Sequence, residues 1–295
     1  MEDKVNLKNL ILEVSNREKF NSLLLEKDYF LTKFLIELSN NKIDNLIFKG
    51  GTCLNKCYLG FYRLSEDLDF IFNEDLNNLT NRALKLKSEK IRSEINKLCL
   101  KCGLVVSDEL GKGWKIITQN GRIINLVVYA KYKSLLSEDL QQIKIDVSFR
   151  HKLYLDTKIK TINHLFYDKL NDAILDDVSK IECIDIRENL SEKYRALVTR
   201  PFLALRDIFD IGYILSKDLV KIDPLFLDLV LLKINESLEY NKNAFKIDDF
   251  FKYISKLELN NVNLSSLEVV LRSDLILKDV LDKYLYLLKK SILIK

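Results

Sequence analysis

Apolar side chains recur at helical spacing in YFLTKFLIEL (29–38), where Phe30, Leu31, Phe34, Leu35 and Leu38 make one stripe, so the pattern predicts a helix with one buried face. A polar loop, NNKIDN, follows, and then LIFKGG, a short β-prone run that stops at paired glycines. TCLNKCYL reads as the start of a helix, and LDFIF returns as a strand. The predicted order is strand, tight turn, helix, strand. Residues 80–101 form an amphipathic, lysine-rich helix, and three β-like runs come next, roughly 113–119, 122–130 and 142–149. TQNGR, between the first two, carries the Asn-Gly hairpin signal. From about residue 189 the pattern changes to leucine-rich helices with polar breaks: RENLSEKYRALVTR, RPFLALRDIFDIGYIL, PLFLDLVLLKINESL and a last one from Ser273 to Leu293. The fold class expected is α+β, a domain with a small mixed sheet over 1–175 followed by a helical bundle over 176–295.

Composition sharpens this picture. A chain of 295 residues with 47% hydrophobic and 31% charged side chains is globular, which excludes disorder and collagen-like repetition. Only 8 glycines and 2 prolines occur, favouring long helices and making each remaining glycine informative. Forty-seven basic against 43 acidic residues leave +4, too little to demonstrate nucleic-acid binding by charge alone. The five cysteines, from Cys53 to Cys183, are odd in number and lack the density of a disulfide framework, so they read as free thiols in a reducing compartment. The start, MEDKVNLKNLILEV, does not look like a secretory leader, and no uncharged apolar run approaches the ~18 residues of a membrane span. A cytoplasmic protein without a membrane partner is expected.

Candidate chemistry concentrates in SEDLDF. Asp67 and Asp69 stand two apart in a β-prone run, so both carboxylates point to one face, with Ser65 on the same side and Leu68 and Phe70 on the opposite, apolar one. Two carboxylates about 7 Å apart on one face repel unless a cation lies between them, and Mg²⁺ bound with substrate phosphates suits such an edge. Standing alone, the motif is weak and reads as a solvated acidic turn or strand edge. It is not alone. Gly50 and Gly51, 16 residues upstream at a strand end, permit close approach of a polyphosphate to backbone N–H groups, with Thr52 as a hydroxyl donor; the alternative is a plain tight turn. In QQIKIDVSF, Ile145, Val147 and Phe149 alternate with Lys144, Asp146 and Ser148. If that strand neighbours the first, Asp146 completes a three-carboxylate cluster and serves as general base. Further on, Lys193, Arg200 and Arg206 stand near Asp207 and Asp210 in two helices separated at Pro201, and the two aspartates, three apart, share a helical face. These charges either pair with one another or meet a triphosphate.

Together these segments carry a resemblance. EKDYFLTKFLIELS, LIFKGGTCLNKCYLGFYRLSEDLDF, IKIDVSF and SEKYRALVTRPFLALRDIFDIGY closely resemble the AbiEii-like nucleotidyltransferase toxins, of the polymerase-β-type nucleotidyltransferase superfamily. The likeness is dense over 26–72 and 188–215 and brief over 143–149. It implies a nucleotidyltransferase-fold domain and transfer of a nucleoside monophosphate from an NTP to an acceptor hydroxyl, with Mg²⁺ as cofactor. It also implies RNA, a tRNA 3′ end, as acceptor, and a cognate antitoxin acting without a stable complex. By position, Gly50, Gly51 and Thr52 correspond to the phosphate-gripping turn, Ser65 to the hydroxyl beside it, and Asp67, Asp69 and Asp146 to the metal-binding carboxylates. Lys193 meets the triphosphate, and Arg206, Asp207 and Asp210 flank the nucleotide, in a cleft between the two domains. The alternatives are transfer to a small molecule such as an aminoglycoside, or a binding module without catalysis.

Other candidates weigh less. Cys99 and Cys102 form a single CxxC, and neither His151 nor His164 has ligand spacing, so these thiols read as core. Trp114, Tyr129 and Tyr132, beside Lys115, Arg122, Lys131 and Lys133, either pack a hairpin or stack an acceptor base. Lysines of the 80–101 helix read as a solvated face or as RNA contacts.

Overall fold

A computed structural model describes residues 2–76, 79–150, 152–167, 172–237, 245–259 and 264–292. The elements are α1 (Glu2–Glu18), α2 (Ser22–Asn40), β1 (Leu46–Lys49), α3 (Gly50–Cys53), which runs on as a π-helical turn Leu54–Leu59, and β2 (Asp67–Phe72). They continue with α4 (Asn81–Lys101), β3 (Val105–Val106), β4 (Trp114–Gln119), β5 (Arg122–Lys133), β6 (Leu140–Ser148), β7 (Lys158–Thr161) and β8 (Lys180–Cys183). Then come α5 (Ile186–Thr199), α6 (Leu205–Ser216), α7 (Pro224–Ser237), α8 (Ile247–Ser255), α9 (Ser265–Glu268) and α10 (Leu277–Ser291). Two compact units result, one of residues 1–184 with 270–273, the other of 185–269 with 274–295. Pairing of β8 with β1 keeps the chain in the first unit as far as Ile184.

In the first unit, eight strands form one mixed sheet, ordered β3-β5-β6-β2-β1-β8-β7 with β4 also on β5. Local chemistry sets the boundaries. Asn21 caps α2 by accepting the Leu23 and Leu24 amides, and Thr80 caps α4 by accepting the Ala83 amide. Asn120 and Gly121 take positive φ, 49° and 77°, as the tight β4–β5 hairpin turn requires, so the Asn-Gly signal is met. One sheet face is core: Phe48, Leu68, Phe70, Leu126, Val128, Ile145 and Val147 pack with Leu31, Phe34, Leu35 and Leu38 of α2 and with Leu84, Ile91, Ile95 and Leu98 of α4. The apolar stripe predicted at 29–38 is thus the face α2 buries, and Phe30 packs at its margin.

The second unit is helical. Tyr194 of α5 meets Phe226 of α7 at 5.8 Å and Phe250 of α8 at 5.7 Å, both edge to face. Helix α6 packs on α10 so closely at Gly212 that a Cβ there would overlap Tyr284. Buried Lys233 pairs with Glu188 at 2.5 Å and with Glu192 at 3.5 Å. Among the described residues no helix is long and apolar enough to cross a membrane.

Candidate active site

Strand alternation decides where the acidic side chains go. Leu68 and Phe70 enter the core, so Asp67 and Asp69 take the other face. Strand β6 lies parallel beside β2 with Asp146 in register with Asp69 and Lys144 in register with Asp67, which puts the three aspartates on one face of adjacent strands, although among the described residues their carboxylate oxygens do not all come within 4.8 Å of one another. On the other side of β2, Lys49 is in register with Asp69. All three aspartates are half-buried. Burial first, and then the negative charge of Asp146, raise the Asp69 carboxyl from 3.8 to about 6. Asp146 is oriented from two directions: the Asn125 amide donates to Oδ1, and Lys144 Nζ lies 3.1 Å from Oδ2. A raised carboxyl beside two further carboxylates is the electrostatic condition that a divalent cation relieves.

The glycine turn adjoins this cluster. Strand β1 ends at Lys49, and Gly50, at φ 78°, turns the chain into the helical segment in the left-handed region that suits glycine. A Cβ at Gly50 would strike the Asp69 carboxylate, so the absence of a side chain is what lets the turn and the acidic strand approach. At Gly51 a Cβ would stand 2.7 Å from Arg63 Nη2 and 3.3 Å from Ser65 Oγ, so the turn, a guanidinium and a hydroxyl converge. Thr52 plays a different part from the hydroxyl donor expected: buried, it donates to the Asp67 carbonyl and ties the turn to β2.

Three residues here escaped the sequence reading, Arg63, Lys49 and Asn55, and a fourth, Lys144, was placed on the polar face of its strand but given no role. Arg63 is buried and donates from Nη1 to the Leu64 carbonyl at 2.7 Å, with Nη2 turned toward Gly51. Lys49 and Lys144 bracket the carboxylates. Asn55, one turn beyond Gly51 in the π-helical segment, is fully buried with neither amide atom hydrogen-bonded, a state in which a polar group needs a ligand or water. No spacing rule finds these, because their roles depend on register and on how the 60–66 loop folds back. Lys56, in the same segment, forms a buried ion pair with Asp28 at 2.8 Å and donates to Thr32 at 2.8 Å, which fastens the π-turn to α2.

In the second unit, Lys193 Nζ lies 2.8 Å from Asp207 Oδ1 and 2.9 Å from Asp210 Oδ2, and Arg200 also pairs with Asp207. Asp207 and Asp210 share one buried face of α6, as their spacing predicts. The Arg206 guanidinium donates to the Ser266 carbonyl at 3.0 and 3.2 Å. His164 is structural, with Nδ1 accepting the Phe166 amide and Nε2 contacting the Leu175 carbonyl, both at 3.2 Å, whereas His151 lies outside the described residues. Cys99 and Cys102 are buried free thiols, as expected.

A strand ending in a Gly-Gly turn, backed by carboxylates on two neighbouring strands, makes a candidate nucleotide and cation site, and solved structures share the fold. The chain resembles MenT4, a nucleotidyltransferase toxin from Mycobacterium tuberculosis H37Rv, with TM-score 0.65 and 19% identity over 97% of this chain and 88% of that one. It also resembles JHP933 from Helicobacter pylori, with TM-score 0.52 and 14% identity over 92% and 93% of the two chains. No curated protein sequence matches. The family model for the nucleotidyl transferase AbiEii toxin of type IV toxin–antitoxin systems matches residues 34–268. The chain belongs to that family and is a nucleotidyltransferase toxin, which implies a nucleotide substrate and a cognate antitoxin.

Proposed function

We propose that the protein transfers a nucleoside monophosphate from an NTP to an acceptor hydroxyl on RNA, a tRNA 3′ end, using Mg²⁺. The observation that carries this reading is the register Asp69 to Asp146 beside the Gly50-Gly51 turn. Asp67, Asp69 and Asp146 are the residues that would hold the ion, and their mutual repulsion fits a cation. Bound there, Mg²⁺ supplies neutralisation of charge on the reacting phosphates. The turn at Gly51, with Arg63 and Ser65, grips the triphosphate. Asp146, held by Asn125 and Lys144, accepts the proton of the attacking hydroxyl as the new O–P bond forms at the α-phosphate and the bond to the β-phosphate oxygen breaks. We assign Lys193 to the charge of the departing pyrophosphate, with Asp207 and Asp210 fixing its ammonium and Arg206 bracing the helix.

An RNA acceptor is supported by the strand face that bears the aspartates. Alternation and register put Tyr129 and Lys131 of β5 and Lys115 of β4 on that face. Lys115 Nζ lies 5.5 Å from the Tyr129 ring centroid, a stacking and phosphate-binding chemistry that suits a single-stranded end. The cognate antitoxin, in this reading, acts without forming a stable complex, and the site of action is the cytoplasm. Incubating the protein with Mg²⁺, each of four labelled NTPs and total cellular RNA is expected to give a labelled tRNA band that Asp67→Ala abolishes. Label appearing on an aminoglycoside and not on RNA, or transfer at wild-type rate by Asp67→Ala, contradicts the proposal.

A further inference from the structure

Three of the five cysteines converge although Cys183 stands 126 residues beyond Cys57. Cys53 ends α3, Cys57 lies one turn on in the π-helical segment, and Cys183 ends β8. Their sulfurs all lie within 4.8 Å of one another, all three residues are buried, and all are free thiols. Cys99 and Cys102, equally buried, belong to no such group among the described residues. We propose that Cys53, Cys57 and Cys183 form a closed binding site for one thiophilic d¹⁰ cation, Zn²⁺ or Cu⁺. The proposal is independent of the transferase reading.

Ligand chemistry and geometry point the same way. An all-sulfur donor set selects soft ions over Mg²⁺ or Ca²⁺. Metal–sulfur bonds of about 2.3 Å set three sulfurs about 4 Å apart, whether Cu⁺ lies in their plane or Zn²⁺ lies above it with a water as fourth ligand, so the observed group needs at most a slight contraction. Binding forms three metal–sulfur bonds and releases the three thiol protons to solvent. The surroundings provide support: the Tyr58 hydroxyl donates to the Ile184 carbonyl at 2.7 Å and accepts from the Cys183 thiol at 3.6 Å. Lys160 Nζ lies 5.1 Å from the Tyr58 ring centroid, placing positive charge near the thiolates.

The position gives such an ion a task. Hairpin β7–β8 joins the sheet through one register pair, Phe48 with Cys183, and the Ile184 amide donates to the Phe48 carbonyl at 2.9 Å. Strand β1 runs from that seam directly into Gly50 and Gly51. A cation bridging Cys183 to Cys53 and Cys57 staples the edge hairpin to the helical segment behind the turn.

Titrating the reduced full-length protein with Zn²⁺, and separately with Cu⁺ against a competing Cu⁺ chelator, tests this, with Cd²⁺ as a spectroscopic probe. Expected are one equivalent bound, sulfur-to-cadmium charge-transfer absorption, proton release and a raised melting temperature. The Cys183→Ser variant, with native far-UV circular dichroism, loses the site, and the Cys99→Ser/Cys102→Ser variant keeps it. Should Cys183→Ser fail to fold, Cys57→Ser, at the least buried of the three, replaces it. Because Cu⁺ outcompetes Zn²⁺ at a thiolate site, the ion is identified as the one that stays bound to protein purified under reducing conditions from medium containing both. No stoichiometric binding in either arm, or binding that survives loss of Cys57 or Cys183, overturns the assignment.

Discussion

Asp69 carries the electrostatic tension of the site. A carboxyl held near 6 in the folded chain and 3.8 unfolded binds its proton more tightly when folded, so ionisation costs native stability as pH climbs from about 4 to 6. Above that window the cost is complete, up to about 3 kcal/mol; below it there is none. Asp69→Asn is therefore expected to melt higher than wild type at pH 7.5 in chelator-treated buffer, with the gap closed by pH 4, while transfer is lost. Thermal melts across that range check the prediction, and a variant less stable at pH 7.5 contradicts it. Arg63 tests the turn in the same way. Arg63→Lys keeps the charge but loses the planar fork that faces Gly51, so KM for NTP should rise about tenfold, a loss of about 1.4 kcal/mol of binding, in a variant whose native far-UV circular dichroism shows that the buried position still folds. An unchanged KM removes Arg63 from the triphosphate. Asp67 and Asp69 were legible in the sequence because strand alternation fixes their face. Arg63 was not, since only the folded loop brings it to Gly51.

Between elements, the buried Lys56–Asp28 pair fastens the π-turn that follows the glycines to α2. Removing one partner strands a charge in the core, whereas removing both replaces a desolvated pair with apolar packing. Lys56→Met is expected to destabilise by about 3–5 kcal/mol, and Lys56→Met/Asp28→Leu to recover most of that loss, as measured by denaturant unfolding. Additive effects of the two substitutions would show that the pair does not act as a unit. Helix α2, the Asn-Gly hairpin and the β6 alternation could all be read from periodicity, because each follows from local pattern. The pairing of β6 with β2 could only be conjectured, since register between strands some 77 residues apart is set by the shared core of Leu68, Phe70, Ile145 and Val147. Likewise the apolar face of α6 was plain, but the turn of Arg206 toward Ser266 depends on where α9 lies.

At the scale of the whole molecule, one sheet has two opposite duties. Its apolar face, packed by α2 and α4, holds the first unit together, and the other face carries like charges that stability alone would not place side by side. Within the helical unit, Lys193 is clamped by two buried aspartates. The central claim is that Asp67, Asp69 and Asp146 act as a single cation site for nucleotide chemistry. Binding of Mn²⁺ in the presence of a non-hydrolysable NTP analogue, followed by electron paramagnetic resonance in wild type and Asp146→Asn, tests that claim most directly. The account predicts that Asp146→Asn, folded and with Asp67 and Asp69 intact, loses at least about a hundredfold in both ion affinity and rate of nucleotide transfer. Wild-type ion binding and wild-type transfer by Asp146→Asn would contradict it.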